Sequence, residues 1–153
     1  MMMKALVLAC GNTLRGDDGV ALEVVHQLQE SQCDPATEFH CQQQWTPELA
    51  EPISEAKLVI FVDAALDRPP GSIACWQLQP KRSASLGNTH HVSPESLLLL
   101  AEELYGKRPL EAYLITVAGA TFELAETLSD PVRSAIPSAV ERINSLLSLF
   151  RDE

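Results

Sequence analysis

Leu58-Val59-Ile60-Phe61-Val62 carries no polar side chain, and the stretch from Lys4 to Cys10 is nearly as apolar throughout. Strands that are apolar on both sides have to be covered on both sides. A largely parallel sheet with helices on its two faces is the architecture that does so. The intervening segments supply those helices. From about Asp18 to Glu30, Val20, Val24, Val25 and Leu28 recur at helical spacing, with Glu23, Gln27 and Glu30 on the other side. Asp17 and Asp18 stand where a helix cap and a first-turn acid belong. Thr37 to Gln43 reads as a second, more exposed strand. Thr46-Pro47-Glu48-Leu49 opens a short helix, with Thr46 as cap and Pro47 in its first position. After the buried strand ends at Asp63, Arg68 to Ser72 forms a turn and Ile73 to Leu78 another strand. Lys81 to His91 shows little periodicity and reads as a loop. Ser93-Pro94-Glu95 starts a helix that includes Leu97, Leu98 and Ala101 and closes near Gly106. Tyr113 to Val117 is a further strand. Pro131 to Phe150 contains the last helix, with Ile136, Val140, Ile143, Leu147 and Phe150 three or four residues apart. The expected fold is α/β and three-layer.

The 153 residues suit a single domain spanning 1–153, with no repeat, low-complexity tract or shift of composition to divide it. Twenty-one acidic residues against eleven basic ones give a net charge of −10. Such a body is repelled by phosphate backbones and by anionic lipid, so neither nucleic acid nor membrane is an expected partner. Apolar runs such as Leu97 to Ala101 are far too short to cross a bilayer. The first ten residues imitate a lipoprotein signal, but five apolar residues between Lys4 and Cys10 fall short of the ~7–15 such a signal needs. A buried first strand is the expectation. Cys10, Cys33, Cys41 and Cys75 form no C-x-x-C pair and no spaced metal pattern. Cys10 and Cys75 lie in strand-like stretches and read as small buried hydrophobes, which fits a reducing cytoplasm.

Sites in open parallel sheets lie at the carboxyl ends of the strands. Three features fall there: Asp17-Asp18 after the first strand, Asp63 after the buried one, and His90-His91 in the long loop. Two carboxylates and an imidazole in one cleft repel or compete unless a cation joins them. A nitrogen–oxygen set suits nickel or zinc better than calcium. Each residue also has a plainer role: Asp17 or Asp18 as a helix cap, Asp63 as an acceptor for loop amides, His90 or His91 as a solvated side chain. His26 and His40 are assigned no function. Other chemistries lack their residues. Gly11 to Gly16 has phosphate-loop spacing, but Asp17-Asp18 stands where the Lys and the Ser or Thr should be. There is no G-x-G-x-x-G fingerprint, no G-x-S-x-G elbow and no helix-opening Cys. A receiver domain would place its acid pair directly at the strand end and a Lys after the last strand. Here the pair comes seven residues past Cys10, and Tyr113 to Val117 leads into Ala118-Gly119.

Gly11-Asn12-Thr13-Leu14-Arg15-Gly16-Asp17-Asp18-Gly19-Val20 resembles the G-N-x-L-x-x-D-[DE]-G-x-G signature of the hydrogenase maturation proteases. Val62-Asp63-Ala64 with Pro70-Gly71, Thr89-His90-His91-Val92-Ser93-Pro94, and Phe122-Glu123-Leu124 to Leu128-Ser129 continue the likeness in order along the chain. The resemblance implies a twisted, mostly parallel five-stranded sheet sandwiched between helices. It implies an aspartic-type endopeptidase that trims the C-terminal extension of a nickel–iron hydrogenase large-subunit precursor after nickel insertion. The family's metal-binding and catalytic positions fall on Asp18, Asp63 and His90, with Asp17 and His91 as alternates. The nickel is carried by the precursor, and no organic cofactor is expected. The chain departs from the pattern at Ala21, where the signature has Gly, and at Val117-Ala118-Gly119-Ala120-Thr121, where many relatives have a Gly-x-x-Pro turn. A non-catalytic module that checks the precursor's nickel would use the same three residues.

Overall fold

The computed structural model describes residues 5–31, 35–82 and 92–151. Along the chain run β1 (Ala5–Cys10), α1 (Val20–Ser31), β2 (Thr37–Gln42), α2 (Ala50–Glu55), β3 (Leu58–Ala65), β4 (Ile73–Gln77), α3 (Pro94–Tyr105), β5 (Glu111–Ala118) and α4 (Asp130–Arg151). The five strands form one sheet in the order β2-β1-β3-β5-β4. All neighbours pair in parallel except β4, which runs antiparallel to β5 at the edge.

The period of two along each strand divides the core into two layers. Val7, Ala9, Ile60 and Val62 point to one face, where α1 and α4 cover them with Val24, Leu28, Ile136, Ile143 and Leu147. Leu6, Leu8, Val59 and Phe61 point to the other, against Ile53 of α2 and Leu97, Leu98 and Ala101 of α3. The three-layer architecture expected from the apolar strands is the one formed.

Helix ends follow their local chemistry. Ser93 caps α3 reciprocally: its Oγ accepts from Ser96 N at 3.1 Å while Ser96 Oγ accepts from Ser93 N at 2.9 Å. Gly106 ends that helix at φ 69°, a left-handed conformation suited to glycine. Thr46 precedes a short 3-10 turn, Pro47–Leu49, as expected, but its side chain makes no capping bond and instead meets Gln42 Oε1 at 3.2 Å. Two boundaries also differ from the sequence reading. A separate 3-10 turn, Gly16–Gly19, carries both aspartates, and α1 begins only at Val20. In addition β3 does not stop at Asp63. It continues to Ala65 because β5 offers Thr116, Val117 and Ala118 as partners for its last three residues.

Candidate active site

The chain reverses its winding direction between β1 and β3. From β1 the chain crosses through α1 to β2 on one side. It then returns through α2, on the other face, to β3. A crevice opens at the carboxyl end of such a switch point, where ligands of α/β sheets bind. The β1–β3 ladder runs from Ala5 to Ala9 opposite Leu58 to Val62 and stops there. At Gly11 the chain turns away, its N–H donating to Gln42 O at 3.0 Å. Asp63 is thus the first residue of β3 that has β5 on one side and no β1 partner on the other.

Asp18 reaches the same crevice from the 3-10 turn. One of its carboxylate oxygens accepts from Asn12 N at 2.9 Å, and Asn12 Oδ1 accepts from Leu14 N at 2.9 Å. The turn between β1 and α1 is therefore folded around the Asp18 carboxylate. Gly11 is required for that approach, since a Cβ there would run into the Asp18 carbonyl oxygen.

Among the described residues, Asp63 accepts one hydrogen bond, from Ala64 N at 2.8 Å. Burial pushes its carboxyl up from 3.8 to about 6; the Ala64 bond opposes the shift and the Asp18 charge adds to it. Cys10 stands beside the two aspartates, where the strand period directs it to the α2/α3 face with Leu6 and Leu8. Its Sγ–H donates to Gln43 O at 3.3 Å. Burial first, then the Asp63 and Asp18 charges, raise the thiol to about 12. Cys10 is accordingly buried, as the sequence suggested, but at the wall of the site rather than in the core. The two-residue alternation of β1 that carries it there is concealed by the apolar character of the run.

Asp17 has a different task. It is 1% exposed, and its carboxylate accepts from Ala120 N at 2.7 Å, Ser129 N at 2.7 Å and Ser129 Oγ at 2.8 Å. Burial alone would raise its pKa, but these bonds outweigh it and hold the group below the usual carboxylate value. Asp17 does not cap α1. It ties the first turn to the segment between β5 and α4, whose Ser129 carbonyl begins the α4 hydrogen-bond series by accepting from Arg133 N at 2.9 Å. Further bonds join the same segments: Gly16 N to Ala125 O at 2.9 Å, Ala125 N to Leu14 O at 3.0 Å, and Arg15 Nε to Phe122 O at 3.2 Å. Gly119 admits the clamp, because a Cβ there would lie 2.6 Å from the Asp17 Cβ. This is what stands at the departure from the Gly-x-x-Pro pattern. Ser129 belongs to the Leu128-Ser129 stretch of the resemblance, but its pairing and that of Ala120 with Asp17, across more than a hundred residues of chain, had no sequence signal.

Of the expected site residues, Asp18 and Asp63 are thus brought to one crevice and Asp17 is drawn behind it. His90 and His91 lie outside the described residues. Val92, which follows them, packs on the α2/α3 face, the side to which β3 directs Asp63. Among the described residues no three His, Cys, Asp or Glu side chains form a group able to hold a metal. The pair of aspartates offers oxygen donors to a cation, which would offset the cost of their neighbouring charges.

No protein-family model matches the chain, and no curated protein matches it in sequence. Solved structures do match. The hydrogenase maturating endopeptidase HybD from E. coli superposes with a TM-score of 0.76 at 22% identity, covering 95% of this chain and 93% of that one. The hydrogenase 2 maturation peptidase from a Thaumarchaeota archaeon gives 0.69 at 25% identity, over 95% and 99%. The [NiFe] hydrogenase maturation protease HycI from Thermococcus kodakarensis gives 0.74 at 22% identity, over 95% and 93%. The likeness carried by the sequence motifs therefore extends to the fold over nearly the whole chain.

Proposed function

We propose that this chain, which has the fold of the hydrogenase maturation endopeptidases, is one of them. In this reading it removes the C-terminal extension of a nickel–iron hydrogenase large-subunit precursor once nickel is in place. The observation that carries the reading is the meeting of Asp18 and Asp63 at the switch point, with Asp63 raised to about 6 by burial and by its neighbour's charge. Holding such a carboxylate ionised at neutral pH costs stability, and a divalent ion reverses the sign of that cost.

Nickel enters as part of the substrate. Asp18, Asp63 and His90 supply an incomplete shell around it, the precursor's own ligands complete the coordination, and no organic cofactor takes part. Binding through the ion sets the scissile peptide beside the crevice, so recognition becomes proximity. Asp17 and its clamp keep the Asp18 turn in one geometry, and Asn12 N–H orients the Asp18 oxygen. A carboxylate oxygen that the ion leaves free would take the proton from attacking water. The bound ion polarises the groups it touches. The reaction belongs in the cytoplasm, where the cysteines stay reduced. Among the described residues no helix is long and apolar enough to cross a membrane.

The test is processing of nickel-loaded precursor by Asp18→Asn and Asp63→Asn, followed as gel mobility of the large subunit. Both variants are expected to leave the precursor at full length while the parent shortens it. Undiminished processing by either contradicts the assignment. A module that only checks the nickel would bind the precursor and shorten it in neither form.

A further inference from the structure

The amino ends of the parallel strands carry a second surface, which the proposed reaction leaves unused. There the C-terminal ends of α2 and α3 border a shallow cavity of about 610 Å³, lined in part by Lys57, Lys107, Arg108 and Leu110. Arg108 and Leu110 also border an adjoining cavity of about 40 Å³, which reaches the buried side chains of Leu78 and Leu98. Leu110, which lines both cavities, is 70% exposed, and the last turn of α3 before them carries Leu104 and Tyr105, 61% and 43% exposed. Three of the eight large hydrophobic side chains exposed among the described residues thus fall within seven positions. The hydrogen bond from Leu110 N to Lys57 O, 2.9 Å, fixes the apolar and the basic parts against each other.

The charge here is opposite to that of the molecule. Three of only eleven basic residues line one cavity in a chain of net charge −10. Arg108 is paired with Glu102 at 3.3 Å, and Glu55 also lines the groove. Lys57 and Lys107 form no ion pair with another described residue. Cations after helix C-termini offset the carbonyl ends by ~0.3–1 kcal/mol, which accounts for the lysines alone. It does not account for Leu110 turned outward between them. An apolar anchor flanked by Lys57 and Lys107 complements an acidic segment that carries a bulky apolar residue.

We infer that this groove docks an acidic segment of another protein, with one bulky apolar side chain against Leu110 and flanking carboxylates facing Lys57 and Lys107. Five residues of β3 separate Lys57's end of the sheet from Asp63, on the order of 17 Å. The docked partner and the precursor can therefore be held together, and the inference stands apart from the proposed proteolysis.

The full chain, isotope-labelled, is titrated with the peptide acetyl-Asp-Glu-Leu-Trp-Glu-Asp-amide and with a counterpart bearing Lys at each acidic position. The acidic peptide is expected to shift the amide resonances of Lys57, Gly106, Lys107 and Leu110, with affinity falling fivefold or more between ~0.01 M and ~0.3 M salt. The exposed double variant Lys57→Glu/Lys107→Glu is expected to abolish those shifts, and Leu110→Ser to weaken binding about tenfold. Absence of shifts at these residues, equal shifts with the basic counterpart, or full binding by the double variant overturns the inference. Self-association that Lys107→Glu abolishes also overturns it, by giving the groove to a second copy of the chain.

Discussion

Replacing Asp63 by Asn removes a charge that the fold holds at a cost. The carboxyl rises from 3.8 to about 6, mostly through burial. Two units correspond to ~3 kcal/mol of stability forgone at neutral pH, an upper bound because the side chain is only half-buried. The Asn side chain is isosteric, and its Oδ1 can still accept from Ala64 N, so the gain is not cancelled by a lost bond. Asp63→Asn should therefore be more stable than the parent at pH 7.5 by ~1–3 kcal/mol, or ~2–4 °C in Tm for each kcal/mol. The sign follows from linkage. With the folded pKa above the unfolded one, the folded state keeps its proton between pH 3.8 and about 6 while the unfolded state loses it. The parent thus loses stability as pH rises through that window, and the variant does not. Urea denaturation of both proteins from pH 4 to pH 8 reads the difference directly. The advantage of Asp63→Asn should be near zero at the acid end, grow through the window and level off above about 6. A variant less stable than the parent at pH 7.5, or an advantage independent of pH, refutes the reasoning.

Asp17→Ala should cost ~3–5 kcal/mol in urea denaturation, because it strands the N–H groups of Ala120 and Ser129 and the Ser129 hydroxyl around a buried void. Asp17's low pKa also stabilises the fold above the unfolded value of 3.8, so that contribution should disappear as pH falls below it. Gly119→Ala should lower Tm by driving a methyl group into the Asp17 side chain, at ~1–3 kcal/mol. In native protein at pH 8, iodoacetamide should modify exposed Cys41 well before Cys10, whose pKa of about 12 keeps it a thiol; peptide mapping shows the order, and rapid Cys10 labelling contradicts the placement.

The layers were legible because each apolar strand states its own burial. Leu58 to Val62 could belong only to a sheet covered on both faces. Strand ends were less so, since the extension of β3 to Ala65 depends on the length of β5, fifty residues away. The acid pair shows the same limit at the site. Sequence placed Asp17 and Asp18 together and offered both as caps or ligands. The resemblance preferred Asp18 with Asp17 as alternate; the folded chain turns Asp17 back to Ala120 and Ser129, and Asp18 with Asn12 toward the crevice of Asp63. Cys10 was hidden for a related reason. A continuous apolar run names the core, whereas the two-residue alternation that carries Cys10 beside Asp63 appears once the register is known.

The most direct measurement is the intact mass of the hydrogenase large-subunit precursor after incubation with this protein, with and without nickel. The nickel-loaded precursor should lose one C-terminal segment, and the nickel-free one should keep its mass. An unchanged mass in both, or equal cleavage of both, contradicts the proposed function.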